Sequence, residues 1–207
     1  MTDRDEALGR RHVSRETERR LTTFASEVER WTRKINLIAP STVPAIWTRH
    51  ILDSAQIFDL CPARSGAWVD LGSGAGFPGL VVAILAADEA PELEVHLVES
   101  DARKAAFLAA AARACSIAPT IHTARAESLP AFGADVVSAR ALAPLPVLLE
   151  LASRHLSPQG KAIFPKGARA GEELAAALAT WRFAYDKHPS LTDPDSVILV
   201  IKDIAHA

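Results

Sequence analysis

The chain has 207 residues, 49% of them apolar, enough for one domain with a modest extension and a sizeable buried core. No apolar run reaches the ~18 residues needed to cross a bilayer, and the charged stretch 1–11 lacks the apolar centre of a secretory signal, so a cytoplasmic protein without membrane contact is expected. A net charge of −2 excludes a molecule that attracts nucleic acid as a whole. Cys61 and Cys115 are too few and too far apart for a disulfide framework or a metal knuckle, so both are expected to be small buried hydrophobes and no metal is expected.

Between Ser14 and Asn36, the residues Leu21, Phe24, Val28, Trp31 and Ile35 step by three and four, which predicts one amphipathic helix. Around it crowd Arg10, Arg11, Arg15, Arg19, Arg20, Arg30, Arg33 and Lys34, interrupted by Glu16, Glu18, Glu27 and Glu29. Such a mixture is either a solvated face laced with ion pairs or a local patch for RNA. Ser41 is placed to cap a second helix, with Pro44 in its first turn. An apolar pattern then runs from Ile46 to Leu60, and Arg49, His50 and Asp53 share one helical face at three- and four-residue spacing. The turn-rich break at 62–66 ends this helical extension, so residues 1–65 are expected to pack as an extension on a main domain of 66–207.

Beyond the break, strands and helices alternate. Strands are predicted at 67–71, 94–99, 119–123, 134–139 and 161–165, with helices at 77–87, 103–115, 145–155 and 172–181. Helix-linked strands imply a parallel sheet covered on both faces. Two late apolar runs, 182–187 and 196–202, are separated only by a stretch with Pro189, Asp193 and Pro194, and are expected to form an antiparallel pair ending the sheet. A terminal hairpin of this kind fits a methyltransferase better than a dehydrogenase.

The stretch Trp68-Val69-Asp70-Leu71-Gly72-Ser73-Gly74-Ala75-Gly76-Phe77-Pro78-Gly79 reads as a strand running into a glycine-rich turn and then a helix. Glycine allows the left-handed dihedrals of such a turn and a close approach of backbone to ligand. Gly74, Gly76 and Gly79 satisfy the dinucleotide fingerprint, whereas Gly72, Gly74 and Gly76 give the G-x-G-x-G of S-adenosylmethionine (SAM) enzymes, so the turn alone leaves the ligand open. Asp70 closes the strand at the sheet edge where open α/β sheets hold ligands. Glu99, at the end of the second strand, suits two adjacent ribose hydroxyls, or else caps the next helix. Ala126 and Glu127 follow the third strand, where a backbone N–H and a carboxylate suit an adenine edge. Glu99 serves NAD and SAM equally, whereas Ala126 and Glu127, with a chain too short for a separate substrate domain, favour SAM.

After the fourth strand comes Ser138-Ala139-Arg140-Ala141, with neither the Pro-Pro-aromatic signature of amine methylation nor a nucleophilic cysteine. Together with Asn36-Leu37, Arg49-His50-Ile51-Leu52-Asp53-Ser54, the glycine turn ending in Pro78-Gly79, and Lys166-Gly167, it resembles the RsmG (GidB) family from about 36 to 202. That resemblance implies a class I SAM-dependent methyltransferase: an α/β, Rossmann-like, mostly parallel seven-stranded sheet with a terminal antiparallel hairpin and a helical N-terminal extension. It implies methylation of guanine N7 in the 530 loop of 16S rRNA, in the region of position 527, within the small ribosomal subunit; nothing in the sequence demands more than a monomer. It puts cofactor contacts on Gly72, Phe77, Ala126, Glu127 and Arg140, to which the reading above adds Asp70, Gly74 and Gly76 at the turn and Glu99 at the end of the second strand. It puts RNA-facing positions on Arg125, Arg140 and Lys166, with Arg140 and Lys166 positioning the reactants.

Guanine N7 has a lone pair and no proton, so displacement needs alignment and no general base. Phe77 then either stacks on a base or is buried. His50 is either a proton shuttle or a structural link between extension and turn. The other readings are a SAM enzyme for another RNA or a small molecule, and a nucleotide-binding module without turnover.

Overall fold

The computed structural model describes residues 2–61 and 64–207. Two helices open the chain, α1 (Asp3–Arg10) and α2 (Arg15–Ile35), followed by a 3-10 segment (Pro40–Ala45), a π-helical turn (Trp47–Leu52) and α3 (Asp53–Asp59). The α/β part comprises β1 (Ser65–Leu71), α4 (Gly79–Glu89), β2 (Glu92–Val98), α5 (Ala102–Ala114), β3 (Thr120–His122), β4 (Ala134–Ser138), α6 (Leu145–His155), β5 (Leu156–Lys166), α7 (Ala170–Leu178), β6 (Trp181–Pro189) and β7 (Val197–His206).

The seven strands lie in the order β3-β2-β1-β4-β5-β7-β6. β1 to β5 run parallel, and β7 pairs antiparallel with both β5 and β6. A helix between strands permits the parallel crossover. The direct β6–β7 connection leaves only the antiparallel option. The strand order reverses between β1 and β4, which opens a crevice at the carboxyl ends of those strands.

Each face of the sheet has its own core. Side chains alternate along β1, so Trp68 joins Phe24, Phe58, Ile84 and Phe107 on one face, while Val69 and Leu71 join Leu149, Phe164 and Trp181 on the other. α4 is buried from Gly79 to Ala86 because the sheet covers one side and α2 and α3 cover the other, which explains why it is apolar all round. The α2 stripe buries Leu21, Phe24 and Val28; Ser14 Oγ accepts from the Thr17 N–H at its start, and left-handed Asn36 ends it.

Several elements differ from expectation. α1 has no apolar period to announce it; a reciprocal cap between Thr2 and Asp5 starts it. Ser41 caps nothing: Ala39 holds the N-cap position, Pro40 starts a 3-10 segment, and the chain then winds wider through 47–52. α4 begins at Gly79, after a cis Phe77–Pro78 bond. Trp181 opens β6 rather than ending α7. Part of the turn expected over 62–66, at Pro62 and Ala63, lies outside the described residues, as does Met1 of the charged amino terminus. Cys61 and Cys115 are buried and stand in no disulfide. Among the described residues, no helix is long and apolar enough to cross a membrane.

Candidate active site

β1 delivers the glycine turn to the crevice. Gly72 (φ +68°) and Gly76 (φ +84°) both adopt left-handed backbone. At Gly76 a Cβ would lie 2.8 Å from Leu80 Cβ and 3.0 Å from the Phe24 ring, so the turn is fitted against the extension as well as against α4.

Asp70 does not face a ligand. It is fully buried under the turn, where Oδ1 accepts from Ser138 Oγ (2.7 Å) and Oδ2 from the Gly79 N–H (3.1 Å). Ser138 Oγ in turn accepts from Trp68 Nε1 (2.9 Å). Burial pushes the Asp70 carboxyl up to about 6, against the pull of these bonds. The expected cofactor contact at Asp70 is therefore corrected to a brace that ties β1, β4 and the start of α4 together.

Phe77 is also turned inward. Its ring is 4% exposed, 5.1 Å from the Phe24 ring and stacked 5.0 Å from His50. Stacking of this ring on adenine or a base is excluded by its burial. Any cofactor contact from Phe77 falls to its backbone.

Of the remaining cofactor candidates, Gly72, Ala126 and Glu127 share a cavity, Arg140 lines a second one, and Gly74, Gly76 and Glu99 line neither of these two. Gly72, Arg125, Ala126 and Glu127 line one cavity of about 170 Å³ with Leu142 and Ala143. Glu99 stands at the end of β2, its Oε2 accepting from the Gly74 N–H (2.9 Å) and its Oε1 from the Asp101 N–H (2.7 Å). His155 Nε2 lies 3.1 Å from the Ala126 carbonyl and Arg154 bonds the Leu129 carbonyl, so the end of α6 clamps the segment that carries Ala126 and Glu127. Neither the glycine pattern nor the helical period announced that clamp.

A larger cavity, about 610 Å³, adjoins it and is lined by Arg49, His50, Asp53, Arg140 to Pro144, Lys166, Arg169, Glu173 and the β6–β7 turn. Leu142 borders both cavities and is folded over Gly72, with its Cδ1 2.6 Å from where a glycine Cβ would be.

Arg140 is the hub of the larger cavity. It donates to Asp53 Oδ2 (2.9 Å) and His50 Nδ1 (2.6 Å), and its guanidinium carbon lies 5.4 Å from the Phe77 ring centroid. A guanidinium can only donate, so His50 Nδ1 accepts and Nε2–H donates to Thr42 Oγ1 (2.9 Å). Burial, then the positive charges of Arg140 and Arg49, lower the His50 pKa to about 4. A histidine held neutral and spent in this chain is a link between extension and turn, not a proton shuttle. Asp53 also accepts from Thr192 Oγ1 (2.8 Å), which draws the β6–β7 turn into the same wall.

Lys166, expected to face RNA, is turned inward. Its side chain is 7% exposed, and Nζ donates to Glu173 Oε2 (2.7 Å) and the Ala143 carbonyl (3.2 Å). Glu173 Oε2 also accepts from the Leu145 N–H (2.8 Å). Nothing in the sequence singled out Glu173; it enters the site because α7 folds back over the end of β5.

The two readings of the arginine-rich extension are divided by its pairing. Arg10, Arg11, Arg19, Arg20 and Arg30 stand in ion pairs with Asp or Glu, while among the described residues Arg15, Arg33 and Lys34 are exposed and stand in none. Among the described residues Arg49, Arg125 and Arg169, all exposed at the cavity rims, make no side-chain hydrogen bond or salt bridge.

The family model described as rRNA small subunit methyltransferase G matches residues 17–195. A ribosomal RNA small subunit methyltransferase G of Cereibacter sphaeroides is 52% identical over 202 residues, 98% of either chain, and one of a Ruegeria species is 50% identical over 93% of each. Among solved structures, a TehB-like SAM-dependent methyltransferase of Corynebacterium glutamicum matches 86% of this chain and 98% of its own with a TM-score of 0.59, at 14% identity, a likeness of fold alone. With a seven-stranded sheet of methyltransferase order, a glycine turn at its crossover, and a family match over most of its length, the chain belongs to the rRNA small subunit methyltransferase G family.

Proposed function

We propose that the protein transfers the methyl group of SAM to N7 of a guanine in 16S rRNA, in the 530 loop near position 527. The observation that carries this reading is the pair of cavities meeting at the β1/β4 crossover. One is lined by Gly72, Ala126 and Glu127, and the other by Arg140 and the extension.

The residues fit the cofactor. The turn at Gly72 has no Cβ, and the side chain over it, Leu142, is 41% exposed on a loop bordering both cavities. Ala126 and Glu127 would take the adenine and Glu99 the ribose hydroxyls, with Gly72, Gly74 and Gly76 along the methionine half. SAM supplies an electrophilic methyl on a sulfonium sulfur.

This chain's residues then have a task of alignment. Arg140, fixed by Asp53 and His50, holds the 139–144 loop at the junction of the cavities. No side chain need remove a proton from N7, which suits a site whose histidine is neutral and already bonded. Arg125, exposed and unpaired beside the smaller cavity, suits an RNA phosphate. We assign residues 1–65 to supporting the acceptor side and 66–207 to holding the cofactor. We also propose that it acts as a monomer, in the cytoplasm, on assembled small subunits.

The test is incubation of the protein with methyl-labelled SAM and undermethylated small subunits, followed by mapping of the labelled base. Label on one guanine N7 in the 530 loop is expected. Label elsewhere, or none, would overturn the assignment.

A further inference from the structure

Adenine and guanine both carry an N7 lone pair, so the accepting atom cannot itself select guanine. Selection needs a group that meets the edge on which the bases differ. Guanine presents two donors there, N1–H and the exocyclic amino group, where adenine presents an N1 lone pair. A carboxylate satisfies the first and repels the second.

Three carboxylates line the larger cavity: Asp53, Glu173 and Asp193. Asp53 is fully engaged, Oδ1 by Gln56 and Thr192 and Oδ2 by Arg140. Asp193 is fixed only within its own turn, by the Asp195 N–H. Glu173 alone is clamped from two other elements while one oxygen stays unused. Lys166 of β5 and the Leu145 N–H of α6 both hold Oε2. Among the described residues Oε1 has no partner, and it is not among the buried unpartnered atoms. Burial works against ionisation of this carboxyl, but the Lys166 and Leu145 bonds outweigh it and hold its pKa below the usual range. It is therefore an acceptor at neutral pH. Ala143, Pro144, Pro165 and Val197 supply apolar wall for the faces of a flat ring.

Resting on the guanine N7 reading above, we propose that Glu173 is the residue that selects guanine: Oε1 accepts from N1–H and the amino group of a target base held in the larger cavity, across the ring from N7. Lys166 is then a positioning residue that acts through Glu173.

The test compares small subunits reconstituted with guanosine or inosine at the target position, because inosine keeps N7 and N1–H and lacks the amino group. With the unaltered protein, transfer to inosine should fall about ten- to hundred-fold, as for a lost bond to a charged group. In Glu173→Gln, transfer to guanosine should fall by a similar factor and the inosine penalty should shrink below about threefold, while SAM affinity by calorimetry is unchanged. Glu173→Asp, which keeps the charge beside Lys166, should narrow the penalty too and serves should the amide variant not fold. Asp193→Asn should keep the full penalty. Equal transfer to both bases by the unaltered protein, a full penalty surviving in the Glu173 variants, or a penalty lost in Asp193→Asn would each overturn the proposal. No transfer to guanosine at all would instead overturn the N7 reading itself.

Discussion

Asp70 sits where a ligand carboxylate is expected and does something else. Its position at the end of β1 was legible in the sequence; its direction was not, because a side chain one residue from a turn points either into the crevice or under it. Here Ser138 and the Gly79 N–H claim it from below. The pKa raised to about 6, against 3.8 as the ordinary value, has a definite consequence. Between those values the folded state binds more protons than the unfolded chain, so the stabilisation is present below about pH 4 and lost as pH rises through 6. Urea melts of the unaltered protein and Asp70→Asn should therefore diverge: the stability of the former relative to the latter should drop by roughly 1–3 kcal/mol from pH 4 to pH 6.5. A constant difference would show that Asp70 does not titrate in this range.

The π-helical turn and its neighbours decide how the extension meets the catalytic half. Arg49, His50 and Asp53 were expected to share a neighbour, and in the structure His50 and Asp53 reach Arg140 by side chain while Arg49 offers its carbonyl at 3.4 Å. The sequence spacing found the cluster but could not name the arginine 90 residues away that it serves. His50 titrates with the opposite sign to Asp70. Its pKa is lowered from 6.5 to about 4, so the unfolded chain binds more protons between those values and the contribution is full above pH 6.5 and lost as pH falls toward 4. The stability of the unaltered protein relative to His50→Gln should rise by roughly 1–3 kcal/mol from pH 4 to pH 6.5, again read by urea melts. The two variants thus move in opposite directions across one window, which separates the brace under the turn from the link above it.

At the scale of the molecule, the larger cavity draws its walls from residues 49–198 and the smaller one, which shares Leu142 and Ala143 with it, from residues 72–151, so ligand binding should stabilise the whole. At a free concentration a hundred times its dissociation constant, SAM should raise the unfolding free energy by about 2.7 kcal/mol, visible as an upward shift in scanning calorimetry. NAD at the same concentration should leave the transition unmoved. Stabilisation by NAD alone would remove SAM from the site.

By itself the sequence determined the order of strands and helices from β1 onward, the antiparallel ending, the amphipathic face of α2 from Leu21 to Val28, and the glycine turn. Those features are written in local periodicity and in residues with few backbone options, such as Gly72 and Gly76. Only the tertiary structure decided that Asp70 and Phe77 turn inward, that Lys166 is spent on Glu173, and that Arg140 is tied to the extension. Each of these depends on which distant group arrives first at a shared oxygen or ring face, and no local pattern encodes that.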